Sequence, residues 1–186
     1  MKSLIKDIKV DITLNTSSEE ITPFVSYGVQ FTDWVKQRVK EMPILKPLTL
    51  LSKQLLSNFN LNIPYHGTIT CQYPIGGMSS YVLIMMLSAF LKSGPCLPTL
   101  GHYFLEALRY YGYEFKTDQL MVAQGELIMF KSEIIPSNDL LVLDKFLPDT
   151  NAAANITEFE RIRQLFCSTH TKLISGITLK EALSIN

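Results

Sequence analysis

No apolar run in this 186-residue chain is long enough to cross a bilayer. The longest, Tyr81 to Leu87 continuing through Ala89, Phe90 and Leu91, has the length of a buried core helix, so no membrane partner is expected. Nor does the start read as a signal peptide, because Met1 leads into a mixed charged and β-branched stretch. Cysteine is scarce: Cys71, Cys96 and Cys167 are odd in number and form no C-x-x-C pair. That argues against a disulfide framework or zinc site and for a reducing, intracellular compartment. Charge of one sign is missing too, since seventeen basic residues balance seventeen acidic ones. No global field draws the chain to nucleic acid, so any RNA contact must be local. Among catalytic patterns, His66, His102 and His170 lack metal-ligand spacing, no Gly-x-Ser-x-Gly elbow occurs, and Gly76-Gly77 lacks the Lys-Ser/Thr of a Walker loop.

What is present is a helical pattern with a little strand. Ile8, Val10, Ile12 and Leu14 alternate with Asp7, Lys9, Asp11 and Thr13, which predicts a half-buried strand over Ile5 to Leu14. A lone strand cannot bury its face, so a sheet upstream or a distant partner is expected. Asn15 to Tyr27 reads as a polar loop. Phe31, Trp34, Val35, Val39 and Met42 then mark one face of a helix over Val29 to Met42, ended by Pro43. Pro47 suits the first turn of the next helix, with Leu48, Leu51, Leu55 and Phe59 inward and Thr49, Lys53 and Ser57 on another face. After a loop from Asn60 to Ile75, Gly76-Gly77 reads as a tight turn feeding a helix apolar nearly all round. Its free N–H groups and dipole would favour a phosphate beside Ser80 and Tyr81.

The spacing from Leu100 to Tyr111 predicts an amphipathic helix stopped by Gly112 at C′. Leu120 to Val122 and Leu127 to Phe130 flank Gln124-Gly125 as a hairpin, and Leu140 to Leu143 suits a further strand. A turn-rich loop, Asp144 to Asn155, precedes Thr157-x-x-Glu160, read as a capping box opening a helix with Phe159, Ile162, Leu165 and Phe166 inward. Thr178-x-x-Glu181 repeats that signature. The expected class is α+β, mostly helical.

Chemically, an aspartate on a strand can hold Mg²⁺, a helical lysine can neutralise triphosphate oxygens, a serine hydroxyl can donate to one, and a tyrosine ring can stack on a base. Asp11, Lys53, Ser80 and Tyr81 would together make a nucleotide site. The plainer alternatives are a solvent-side aspartate, a solvated lysine and a serine that caps its helix.

Val10-Asp11-Ile12, Leu51-Ser52-Lys53-Gln54-Leu55-Leu56 and Gly76-Gly77-Met78-Ser79-Ser80-Tyr81, in that order, resemble the non-canonical poly(A) polymerases and related terminal nucleotidyltransferases. Gly28-Val29-Gln30 and Tyr110-Tyr111-Gly112-Tyr113-Glu114-Phe115 extend the similarity across nearly the whole chain. The resemblance implies that residues 1–27 come from the nucleotidyltransferase palm domain and residues 28–186 form the helical central domain. It implies Asp11 as a catalytic, metal-binding carboxylate, Lys53 and Ser80 on the triphosphate, Tyr81 on the base and Thr32 near the ribose. Asp144 to Asn155 matches the nucleotide-recognition loop, with Asn151 and Asn155 both candidates to read the base. The family's usual Asp-Pro is here Asp144-Lys145.

The family's Asp-x-Asp pair behind a Gly-Ser turn does not occur in these residues, so the chain alone is expected to be inactive. The implied activity is addition of AMP from ATP to RNA 3′ ends, with Mg²⁺ or Mn²⁺ and with RNA-binding or helicase subunits as partners, in the nucleus or cytoplasm. ATP is preferred over UTP because Asp144 to Asn155 holds no histidine. A uridylyltransferase and a non-catalytic scaffold with the same fold are the alternatives.

Overall fold

The Gly76-Gly77-Met78 strip runs between two other segments, and that squeeze sets the layout of the molecule. Gly77 N–H donates to Ile63 O at 2.9 Å and Met78 N–H to Leu61 O at 2.8 Å, while Gly76 O accepts from Glu158 N at 3.1 Å. A Cβ on Gly77 would lie 2.6 Å from Leu61 O, and one on Gly76 2.3 Å from Thr157 Oγ1. Close approach on both flanks thus requires the glycines, and neither occupies the left-handed region. The expected tight turn is replaced by a pinched, extended strip. In this computed structural model, residues 24–63, 76–129, 140–147 and 149–184 are described. The predicted strand Ile5 to Leu14, with Asp11, lies outside them, as do Cys71 and His66.

The strip delivers the chain into α3, Ser80–Ser93, whose N-cap Ser79 accepts from Val82 N–H at 3.2 Å. Val82, Leu83, Met85, Met86, Leu87, Ala89 and Phe90 are all buried, so α3 is the central helix expected from its all-round apolar sequence. Helix α2 (Leu45–Asn58) packs along it, α1 (Phe24–Glu41) leans on α2, α4 (Leu100–Arg109) packs on both α2 and α5 (Phe159–Ile174), and a short α6 (Leu179–Ala182) packs on α5. Helix α1 begins at Phe24, inside the stretch expected to be loop. Pro47 falls in the first turn of α2, where its missing N–H costs nothing. Leu48 and Leu55 are fully buried as predicted, but Thr49 is also buried, because α2 packs on both α3 and α4.

Gly112 does not stop α4. The chain continues as a π-turn over Tyr110–Glu114, closed by Phe115 N–H on Tyr110 O at 2.8 Å. A Cβ at Gly112 would meet Cys167 Sγ at 3.0 Å, so this glycine admits α5. Tyr111, fully buried, donates its hydroxyl to Met86 O at 2.5 Å and ties the turn to α3.

The small sheet is mixed, in the order β2-β1-β3. Strands β1 (Leu120–Ala123) and β2 (Glu126–Met129) pair antiparallel, and β3 (Val142–Leu143) runs parallel to β1. Gln124 (φ 54°) and Gly125 (φ 73°) both adopt positive φ, as a two-residue hairpin turn requires. Thr178 and Glu181 form the expected capping box. Thr157 and Glu160 do not: α5 starts at Phe159 without a side-chain cap, because Thr157 is pressed against Gly76 and the Glu158 N–H is spent on Gly76 O.

Candidate functional site

Strand β3 runs directly into the turn-rich loop, and two side chains fold that loop. Asp144 Oδ1 accepts from Phe146 N–H at 2.8 Å and Leu147 N–H at 3.0 Å, while Asp144 N–H donates to Thr150 O at 2.8 Å. This is the local self-pairing that aspartate favours at turns. At the return, Asn151 Oδ1 accepts from Val142 N–H and Ala153 N–H, each at 3.0 Å, and its Nδ2 donates to Leu140 O at 3.1 Å. The Asn151 amide is therefore a backbone fastener. Asn155 is exposed.

The loop faces the first turn of α3. Tyr81, the second residue of that helix, accepts the Lys145 N–H on its hydroxyl at 3.0 Å. Its ring packs on Phe31 of α1 with centroids 4.2 Å apart at 47°, and Phe31 in turn stacks on Trp34 at 5.6 Å. Burial, reinforced by the Asp144 carboxylate, pushes the Tyr81 phenol up to about 12, against the opposing pull of the Lys145 N–H. A hollow of about 370 Å³ opens between these elements, lined by Gly28, Phe31, Tyr81, Asp144, Phe146, Leu147, Thr150, Asn151, Ala152 and Asn155. Aromatic walls with a few amide and hydroxyl groups suit a flat heterocycle.

Of the residues predicted from sequence, the hollow brings together Tyr81, Asn151 and Asn155. Thr32 is one residue from Phe31 but donates its hydroxyl to Gly28 O at 2.9 Å and lines a second groove of about 560 Å³. That groove has an apolar floor of Phe31, Val35, Val39 and Ile84 and a rim of Lys36, Lys40 and Lys46. Phe31 is common to both hollows. Lys53 and Ser80 line neither; Ser80 is exposed at the start of α3, and Lys53 sits two turns beyond Lys46 on α2. In the strip before α3 the N–H groups of Gly77 and Met78 donate to Ile63 O and Leu61 O, and in the helix's first turn the Val82 N–H donates to Ser79 Oγ. Sequence reasoning missed Phe31 because its spacing marks it as core, and missed Lys145 because its part is played by the backbone. Asp144 carried a legible signal, an aspartate opening a turn.

No protein-family model matches the chain. Over 94% of its length it is 25% identical to the poly(A) RNA polymerase gld-4 of Caenorhabditis elegans, covering 21% of that protein. The chain is homologous to the non-canonical poly(A) RNA polymerases. Over 48% of its length it is 34% identical to the inactive non-canonical poly(A) RNA polymerase protein Trf4-2 of Drosophila melanogaster, covering 18% of that protein. The chain thus spans about a fifth of the curated relatives it matches. Its fold is that of the polymerase core of TRAMP, an RNA surveillance complex, with a TM-score of 0.64 at 20% identity over 82% of this chain and 51% of that one. A cytoplasmic RNA terminal U-transferase gives 0.65 at 18% identity over 82% of this chain and 60% of that one. The α+β, mostly helical architecture is that of this poly(A) and poly(U) polymerase group.

Proposed function

We propose that this chain supplies the nucleotide-binding side of a template-independent RNA nucleotidyltransferase that adds AMP from ATP to RNA 3′ ends. The observation that carries the reading is the hollow bounded by Tyr81, Phe31 and the 144–155 loop, in a chain homologous to poly(A) polymerases. In this reading residues 1–27 belong to the palm and residues 28–186 are the central domain. Tyr81 offers its ring to the base, and the exposed amide of Asn155 and hydroxyl of Thr150 read the base edge. An amide both donates and accepts, as does the adenine edge. In the same reading Lys53 and Ser80, which lie outside the hollow, are assigned to the triphosphate, and Thr32, on the neighbouring groove, is assigned to the ribose side. The groove rimmed by Lys36, Lys40 and Lys46 provides the local basic surface that a chain without net charge needs to hold the RNA strand.

Nucleotidyl transfer of this class draws on Mg²⁺ or Mn²⁺ to stabilise charge on the phosphates. Among the described residues no group of three or more His, Cys, Asp or Glu could hold a metal ion, and the carboxylate assigned to it, Asp11, lies outside them. The described residues do not make that ligand set, so the roles above end at nucleotide and RNA binding. With no Asp-x-Asp in the 186 residues, we infer that the chain alone does not turn over. We place the protein inside the cell, nuclear or cytoplasmic, with RNA-binding or helicase subunits as candidate partners. This accords with assemblies such as the GLD-2/RNP-8 complex, whose fold it shares at a TM-score of 0.54.

A second reading, a non-catalytic scaffold, is favoured by the Phe31 ring packed on Tyr81, where it takes up ring surface a base would use. Calorimetric titration with ATP and UTP tests both. Micromolar-range binding of ATP, weaker binding of UTP and loss of binding in Tyr81→Ala are expected. A preference for UTP would move the chain to the uridylyl-adding enzymes, and an unchanged affinity in Tyr81→Ala would overturn the site.

A further inference from the structure

Within the 144–151 loop, Asp144 and Asn151 satisfy the turn internally, so the loop is a self-closed unit. At its root, Leu141 O accepts from Val122 N–H at 3.0 Å. Toward its tip, the Lys145 N–H reaches Tyr81 Oη at 3.0 Å, and Lys145 Nζ reaches Gln124 Oε1 at 3.2 Å across an exposed contact. We propose that the Tyr81 hydroxyl is a latch that fixes the recognition loop against α3, making Tyr81 and Lys145 positioning residues for whatever base enters the hollow.

The bond needs a residue at 145 that carries an N–H. A proline there, as in the usual Asp-Pro of the family, has no donor to give. Lysine at this position therefore replaces proline's fixed backbone with a hydrogen bond donated to α3. Because the same side chain presents the ring to the hollow and the hydroxyl to the loop, the distance between the stacking surface and the base-reading residues is held by one group. Asp144, the residue that organises the turn, lines the same hollow as Tyr81. Tyr81→Phe keeps the ring and removes the latch.

This inference rests on the nucleotide reading for its consequence but not for its existence. Hydrogen–deuterium exchange on the full chain reads the latch without ligand, and ATP titration reads the consequence. Tyr81→Phe is expected to speed exchange across residues 144–151 and to weaken ATP binding roughly three- to tenfold, the range of one net hydrogen bond. Lys145→Pro is expected to weaken ATP binding at least as much, because it also removes the Lys145 Nζ contact with Gln124. The double variant is expected to be no worse than Lys145→Pro alone, since that change already removes the bond that Tyr81→Phe breaks. Wild-type exchange in Tyr81→Phe, or additive losses in the double variant, would overturn the latch. Faster exchange in Tyr81→Phe, with no ATP binding by the wild type, would uphold the latch and sink the nucleotide reading.

Discussion

Asn151 and Asn155 stand four residues apart on one loop and are separated by what their amides touch. Asn151→Ala leaves the Val142 and Ala153 N–H groups and the Leu140 carbonyl without a partner, at a cost of about 3 kcal/mol, read as a lowered midpoint in urea. Asn155→Ala is expected to unfold at the wild-type midpoint and to weaken ATP binding alone, because its side chain is exposed at the hollow. Tyrosines supply a pH signature at the same scale. Burial raises Tyr81 from 10.0 to about 12 and Tyr111 well above its ordinary value. The folded state therefore holds these protons more tightly than the unfolded state. The stability they contribute is intact below pH 10 and is lost as pH rises through the folded values. Denaturation at pH 8 and pH 11 should show a fall, and Tyr81→Phe should reduce its steepness.

At the scale of elements, the contact between α5 and the π-turn is the tightest test of the packing. Gly112→Ala places a methyl 3.0 Å from Cys167 Sγ and 3.2 Å from the Cys167 backbone nitrogen, which cannot easily retreat. A loss of about 1–3 kcal/mol is expected in chemical denaturation. The capping box of α6 is milder, and Thr178→Ala is expected to cost about 1 kcal/mol. Helix α3 joins structure to site. Its buried face anchors it between α2 and the hairpin, so its first turn presents Tyr81 from a stiff support.

Across the whole molecule, charge is balanced but not evenly placed. Lys36, Lys40 and Lys46 gather on one groove beside the hollow, although Lys36 also pairs with Asp33 at 3.0 Å. If single-stranded RNA lies there, replacing Lys40 and Lys46 with alanine weakens binding alike for all sequences. It also lowers the slope of log K against log salt by about 0.7 for each phosphate that is no longer neutralised. Fluorescence anisotropy with an oligoadenylate and an oligouridylate, at several salt concentrations, measures both.

The residue pattern by itself determined the fold class and most of the described elements. Apolar spacing marked the helices, Gln124-Gly125 marked the hairpin, and Thr178-x-x-Glu181 marked the last cap, because each depends on neighbours a few residues away. The ordered motifs around Lys53 and Tyr81 also pointed to the polymerase group before any coordinates. What only the tertiary structure decided is how distant segments meet. Gly76 and Gly77 proved to be places of close approach, Gly112 an opening for α5, and Thr157 a spacer instead of a cap. Asn151 became a fastener, and Lys145 came to hold Tyr81 through a backbone N–H that its side-chain identity does not reveal. Local sequence specifies backbone conformation, but which atoms lie across from a given residue depends on the packing of the whole chain.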